Sequence, residues 1–161
     1  MIRWWMSLIM LLSIAGCQPM ETKMSVRDEP EVEFLSSPGA AEGSLPFSEA
    51  VRVGNLLFLS GMIGNVPGTL DLAPGGIQGE TRQALQNIQA ALERHGSAMD
   101  RVVKCTVFLA DMAEWSSMNE VYVQFFPGSK PARSAFGASG LALDSRVEIE
   151  CIATVGASQT R

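Results

Sequence analysis

One histidine in 161 residues is the sharpest shortage in this chain. His95 has no second imidazole with which to form a catalytic dyad or a His-ligated metal site, and the three cysteines show no zinc spacing, so no metal is expected. The serines have neither a histidine partner nor a nucleophile-elbow context, which excludes serine hydrolase chemistry. Basic residues are also few. Twelve Lys and Arg against 17 Asp and Glu leave a net charge of −5, and they cluster nowhere. Phosphate binding needs a basic stripe, so no nucleic acid partner is expected and ribonuclease activity is disfavoured. The stretch from Pro74 to Glu80, PGGIQGE, lacks the Lys-Ser/Thr of a nucleotide loop and the full dinucleotide fingerprint. It reads as a glycine-rich turn entering a helix.

What the chain does hold is apolar material, 47% of its residues against 18% charged, enough for one soluble domain with a real core. Near the start, a single Arg3 precedes an apolar run from Trp4 to Ala15. That run falls short of the roughly 20 residues of a membrane-crossing helix and has the length of a signal-peptide core. It closes on Ile14-Ala15-Gly16-Cys17, which resembles the lipobox of bacterial lipoproteins. Residues 1–16 are thus expected to be a signal peptide and Cys17 a lipidated N-terminus, which tethers the chain to a membrane without spanning it. Gln18, standing where the retention signal of such lipoproteins has aspartate, points to the outer membrane and a periplasmic location. In that compartment Cys105 and Cys151 are free to bond. Both sit in apolar, strand-like runs, where buried free thiols are the expectation and a disulfide is the alternative.

Residues 17–44 are rich in Glu, Ser, Pro and Gly and read as a flexible spacer without order of its own. The domain is placed at 45–157, followed by a short tail at 158–161. Strands are expected over about Phe47 to Arg52 and Leu56 to Ser60, hinged at the turn dipeptide Gly54-Asn55. After a Pro/Gly-punctuated loop, Ala84, Leu85, Ile88, Ala91 and Leu92 recur at helical spacing within a helix from about Gln78 to His95, stopped by Gly96. His95 falls in its last turn, where an imidazolium favours the helix dipole. A strand over 101–111, a helix over about Met112 to Phe126, and strands over about Arg133 to Ala138 and Arg146 to Val155 complete the order β-β-α-β-α-β-β. That order predicts an α+β fold with two helices on one face of a sheet.

One arginine and one glutamate stand among residues destined for that core. In the last strand, Glu148 and Glu150 share a face with Ile152 and Thr154, opposite Val147, Ile149, Cys151 and Ala153. These carboxylates either lie on a solvated face and pair with some arginine, or form a site. Arg133 offers a planar fork that matches a carboxylate on a ligand. Glu148 could then orient and deprotonate a water.

At these residues the sequence resembles the RidA/YjgF family of enamine/imine deaminases, over about Leu45 to Gly156. The similarity is carried, in family order, by NLLFLSG, VVKCTVFLADM, MNEVYVQFF, KPARSAF and VEIECIA. It implies a chorismate-mutase-like fold, a homotrimer with sites between subunits, and no cofactor. It also implies Arg133 as anchor of a substrate carboxylate, Glu148 as activator of water, and Ser60, Gly61 and Asn119 as site-lining residues. Phe47 stands where many members have tyrosine, and Ala135 where cysteine is frequent, which makes the implied pocket more apolar. The implied reaction is hydrolysis of a 2-imino or enamine acid to a 2-oxoacid and ammonia. The rival is a non-catalytic, carboxylate-binding or chaperone-like trimer on the cell envelope.

Overall fold

The computed structural model describes residues 29–37 and 45–156. The expected signal peptide, Cys17, the tail and most of the spacer lie outside them. Within the spacer, however, Val32–Leu35 forms the first strand, β1, so that part of the stretch is ordered. β2 (Ala50–Val53) and β3 (Leu56–Leu59) make the expected hairpin, turning at Gly54, whose φ of 58° suits a residue without a side chain. A two-residue strand, β4 (Met62–Ile63), precedes α1 (Gly76–Arg94). Then come β5 (Val102–Leu109), α2 (Trp115–Tyr122), β6 (Ala132–Gly137) and β7 (Val147–Thr154).

All seven strands join one sheet in the order β1-β2-β3-β7-β5-β6, with β4 also on β7. Every pairing is antiparallel except β5 with β6, which α2 connects as a crossover. The expected second helix is shorter than its apolar pattern implied. Single 3-10 turns, Met112–Glu114 and Val123–Phe125, flank α2 and take up the difference.

The core lies between the helices and one face of this mixed sheet. Leu85, Ile88 and Leu92 of α1, Met118 and Tyr122 of α2, and Val107, Leu109, Ile149 and Ala153 of the sheet belong to one buried cluster. The glycine-rich turn at 74–80 has a packing cause: a Cβ on Gly79 would stand 2.0 Å from the Pro74 carbonyl oxygen. The alternation expected in β7 is present, with Val147, Ile149, Cys151 and Ala153 buried and the residues between them turned outward. Cys105 and Cys151 are direct cross-strand partners and form a disulfide, which overturns the expectation of free thiols. Two alternating patterns fix only which face each cysteine occupies; the β5/β7 register then sets them opposite each other.

Candidate active site

Arg133 lies on β6 in register with Cys105 of β5, and so on the helix-covered side of the sheet. There its Nη1 donates to Asn119 Oδ1 at 2.6 Å. Its Cζ stands 4.7 Å from the Tyr122 ring centroid and 5.9 Å from that of Trp115. Trp115, Asn119 and Tyr122 share one face of α2 because they follow at intervals of four and three. Two aromatic faces and an amide oxygen thus hold the guanidinium, and among the described residues no carboxylate neutralises it. Most of its donor fork is left for a ligand. Among the described residues the buried Tyr122 hydroxyl has no hydrogen-bond partner. Burial pushes its pKa up to about 12, against the pull of the Arg133 charge. Ala135, two residues along the same face, packs against the core.

Glu148 occupies the other face. It pairs across the strands with Phe108, while Phe108 and Phe136 meet edge to face at 5.0 Å on that open side. Its carboxylate rests on Gly61: a Cβ there would come within 1.8 Å of Glu148 Oε1. Among the described residues it has no hydrogen-bond or ion-pair partner. Partial burial, reinforced by the nearby charge of Glu150, raises its pKa above the ordinary carboxylate value. Glu148 and Gly61 open into a cavity of about 720 Å³ that Phe47 and Ser60 also line. The Ser60 hydroxyl donates to the Ser48 carbonyl at 2.7 Å, which leaves its oxygen as an acceptor.

The eight residues singled out from the sequence therefore divide. Phe47, Ser60, Gly61 and Glu148 meet at one cavity; Asn119, Arg133 and Ala135 gather on the far side of the sheet; Cys17 lies outside the described residues. Within one chain, Arg133 and Glu148 are not neighbours, because β5 separates their strands and they point to opposite faces.

Sequence reasoning missed the aromatic cradle of Arg133, although the spacing of Trp115 and Tyr122 around Asn119 carries the signal. It also missed the partner of His95. That residue caps α1, and its Nε2 lies 2.7 Å from Glu49 Oε2. Glu49 further accepts from Arg94 through both oxygens and from Ser37. Burial by itself would raise the Glu49 pKa, but hydrogen bonds from Arg94, His95 and Ser37 outweigh it and hold the carboxyl below its ordinary value. No group of three His, Cys, Asp or Glu side chains among the described residues is placed to hold a metal ion.

The same arrangement of sheet and helices is seen in the crystal structure of the YjgF gene product of E. coli. It superposes with a TM-score of 0.69 at 31% identity, covering 76% of this chain and 98% of that one. A mouse protein named 2-iminobutanoate/2-iminopropanoate deaminase is 44% identical over 77% of this chain and 92% of its own length. The chloroplast Reactive Intermediate Deaminase A of Arabidopsis thaliana is 38% identical over 76% of this chain, but the match spans only 66% of that longer protein. The profile of the family described as Endoribonuclease L-PSP matches residues 38–155, which takes in both halves of the divided site. On these matches the chain belongs to the RidA/YjgF family.

Proposed function

We propose that the chain is a hydrolytic deaminase of 2-imino acids, in which Arg133 and Asn119 of one copy face Glu148, Ser60 and Gly61 of the next around a trimer. The observation that carries this reading is the unpartnered Glu148 carboxylate, seated on Gly61 at a cavity and biased toward holding a proton. A general base is most useful when its pKa is drawn toward the working pH, and burial with a like charge does that. Support for the assembly comes from the open sheet face, where Phe58 and Phe136 are 38% and 47% exposed and call for a cover. Relatives named as imine deaminases support the reaction at the family level.

Arg133 would bind the substrate carboxylate through its free donors, with Asn119 and the Tyr122 ring keeping the fork from turning away. Water held by Glu148 adds to the iminium carbon while one of its protons passes to the carboxylate. That proton then moves to the nitrogen of the carbinolamine. The C–N bond breaks, ammonia leaves, and the hydroxyl loses its proton to give the 2-oxoacid. An iminium carbon is already electrophilic, so placement supplies most of what is needed.

The direct test is release of ammonia and 2-oxoacid from an imino acid generated in situ by an amino-acid oxidase. Wild-type kcat/KM should fall as pH drops through the raised pKa of Glu148, because only the ionised form accepts a proton. Glu150→Gln should move that acidic limb to lower pH by removing the like charge. Tight binding of a 2-oxoacid without any turnover of the imine would favour the non-catalytic binding protein. The ribonuclease in the family's description finds no basic stripe in a chain of net charge −5.

Gly61→Ala isolates the seat of the carboxylate. The added methyl overlaps the far end of a flexible side chain, so the protein should fold with little change in Tm while Glu148 swings aside. A displacement of about 1 Å costs on the order of 10²-fold in rate. An unchanged kcat would mean that this contact does not position the water.

A further inference from the structure

The cavity beside Glu148 has polar side chains in its wall, but apart from the acceptor oxygen of Ser60 they are already committed. Glu49 is taken up by Ser37, Arg94 and His95. Asn87 donates to the carbonyls of Ile63 and Asn65, and its oxygen accepts from Gln83. Of the three ionisable side chains lining the space, Glu49 and Arg94 neutralise each other, and only Glu148 stands without a partner among the described residues. Within one copy, what distinguishes one ligand side chain from another therefore comes mainly from the apolar part of the wall. That part is unusually bare: Leu45, Phe47, Leu70 and Leu143 are 51%, 57%, 76% and 47% exposed.

Leu143 is held there against its own backbone preference. It sits at φ 56° and ψ 26°, and Asp144 follows at φ 55°, two successive side-chain-bearing residues in the left-handed region. Such strain persists only where surroundings over-determine it, and it gathers at ligand clamps. The surroundings here are explicit. The Ser145 N–H donates to the Ala142 carbonyl at 3.1 Å. The next N–H, of Arg146, donates at 2.7 Å to the carboxylate of Glu80, which is itself buried in α1. Arg146 is tied again through its side chain to Glu114 at 2.7 Å. A pinned, strained turn thus presents an apolar side chain to the space into which Glu148 faces, five residues further along.

We infer that Leu143, with Leu70 in the same cavity wall, selects the substrate's side chain, and that the site prefers 2-imino acids with branched or long apolar side chains over small or acidic ones. The inference rests on the deaminase reading, which supplies the orientation: carboxylate toward Arg133, reacting carbon at Glu148, side chain into the remaining volume. On one copy the cavity measures about 720 Å³ before a neighbour's Arg133 half faces it, and a two- or three-carbon imino acid would leave much of its apolar wall uncovered. An acidic side chain would meet the Glu148 charge, and among the described residues lining the cavity no free cation answers it.

The experiment compares imines derived from alanine, leucine and glutamate for turnover, and pyruvate, 4-methyl-2-oxopentanoate and 2-oxoglutarate for calorimetric binding. Wild type and Leu143→Gly are measured side by side. Glycine accepts the left-handed turn without strain, so the variant should be at least as thermally stable as wild type. The leucine-derived imine should exceed the alanine-derived one in kcat/KM by about tenfold or more, since each buried methylene contributes roughly fourfold. That ratio should fall several-fold in Leu143→Gly; a general defect would lower both rates and leave the ratio alone. Equal rates across the imines, an unaltered ratio in the variant, or a preference for the glutamate-derived imine would overturn the inference while the deaminase reading stood. If no imine turns over but 4-methyl-2-oxopentanoate binds about tenfold tighter than pyruvate, with the preference lost in Leu143→Gly, the selective wall stands and the deaminase reading fails. Absence of both turnover and selective binding ends the inference too, as does a loss of oligomeric state in Leu143→Gly with selectivity intact, which would make Leu143 a subunit contact.

Discussion

Co-expressed Arg133→Ala and Glu148→Gln protomers should recover about a quarter of wild-type deaminase activity, although each variant alone is nearly inactive. Removing a general base costs about 10²–10⁴-fold. Removing the anchor leaves the substrate carboxylate without its bidentate partner. If one chain supplied both groups, every site would lack one of them whatever the mixture, and activity could not recover. In the proposed closed ring of three, by contrast, each site would take Arg133 from one copy and Glu148 from its neighbour. Random mixing at equal amounts makes about three-quarters of the rings mixed, and every mixed ring holds one site of three with both groups intact. Recovery indistinguishable from zero, with mixed rings demonstrated by mass, would show that the sites are not shared.

This expectation follows from the strand order rather than from distance alone. Arg133 faces α2, held by Asn119 and Tyr122, while Glu148 faces the side that carries Phe108 and Phe136. Side chains on opposite faces of a sheet cannot be brought together by rotamer changes. On the proposed reading, a ligand that bridges Arg133 and Glu148 therefore needs a second chain to bring the missing half. Among the described residues the guanidinium is not neutralised and the carboxylate has no partner, which is consistent with this, since burying either without a counterpart is costly unless something docks there.

How far the sequence could lead is clear from these same residues. Period-two alternation in β7 placed Glu148 on the face opposite Val147 and Ile149, and helical spacing placed Leu85, Ile88 and Leu92 inward. Alternation, however, reports a face only relative to its own strand. Insertion of β5 between β6 and β7 is a long-range choice, and without it the opposition of Arg133 and Glu148 was not legible. Val32–Leu35 escaped for a related reason: a four-residue strand amid Glu, Ser and Pro earns its order from pairing with β2, not from its own composition. β4, with two residues, is too short to show any period. Leu143 left no trace at all, because its left-handed turn is followed by an Arg146 anchored to the distant Glu80 and Glu114, and no local pattern announces it.

Breaking the Cys105–Cys151 disulfide should produce the largest loss of stability of any change considered. The bond closes a loop with a sequence separation of 46, for which the chain-entropy relation gives about 4 kcal/mol. Both sulfurs are buried at the centre of the sheet, joining the strand beside Arg133 to the strand that carries Glu148. Cys105→Ala with Cys151→Ala should therefore lower Tm by about 10–20 °C, read by calorimetry against the oxidised wild type. Reduction under mild denaturant should do the same, whereas reductant alone should act slowly because the bond is not exposed. A fall of only a degree or two would mean that the packed thiols or methyls serve the core equally well. The expected size of the loss bears on where the protein works. A cytosolic chain would be kept reduced and would forgo this contribution, whereas an exported one keeps it. For the proposal drawn from Cys17, that the chain is an envelope lipoprotein, the test is metabolic labelling with a fatty acid, which should be lost in Cys17→Ala.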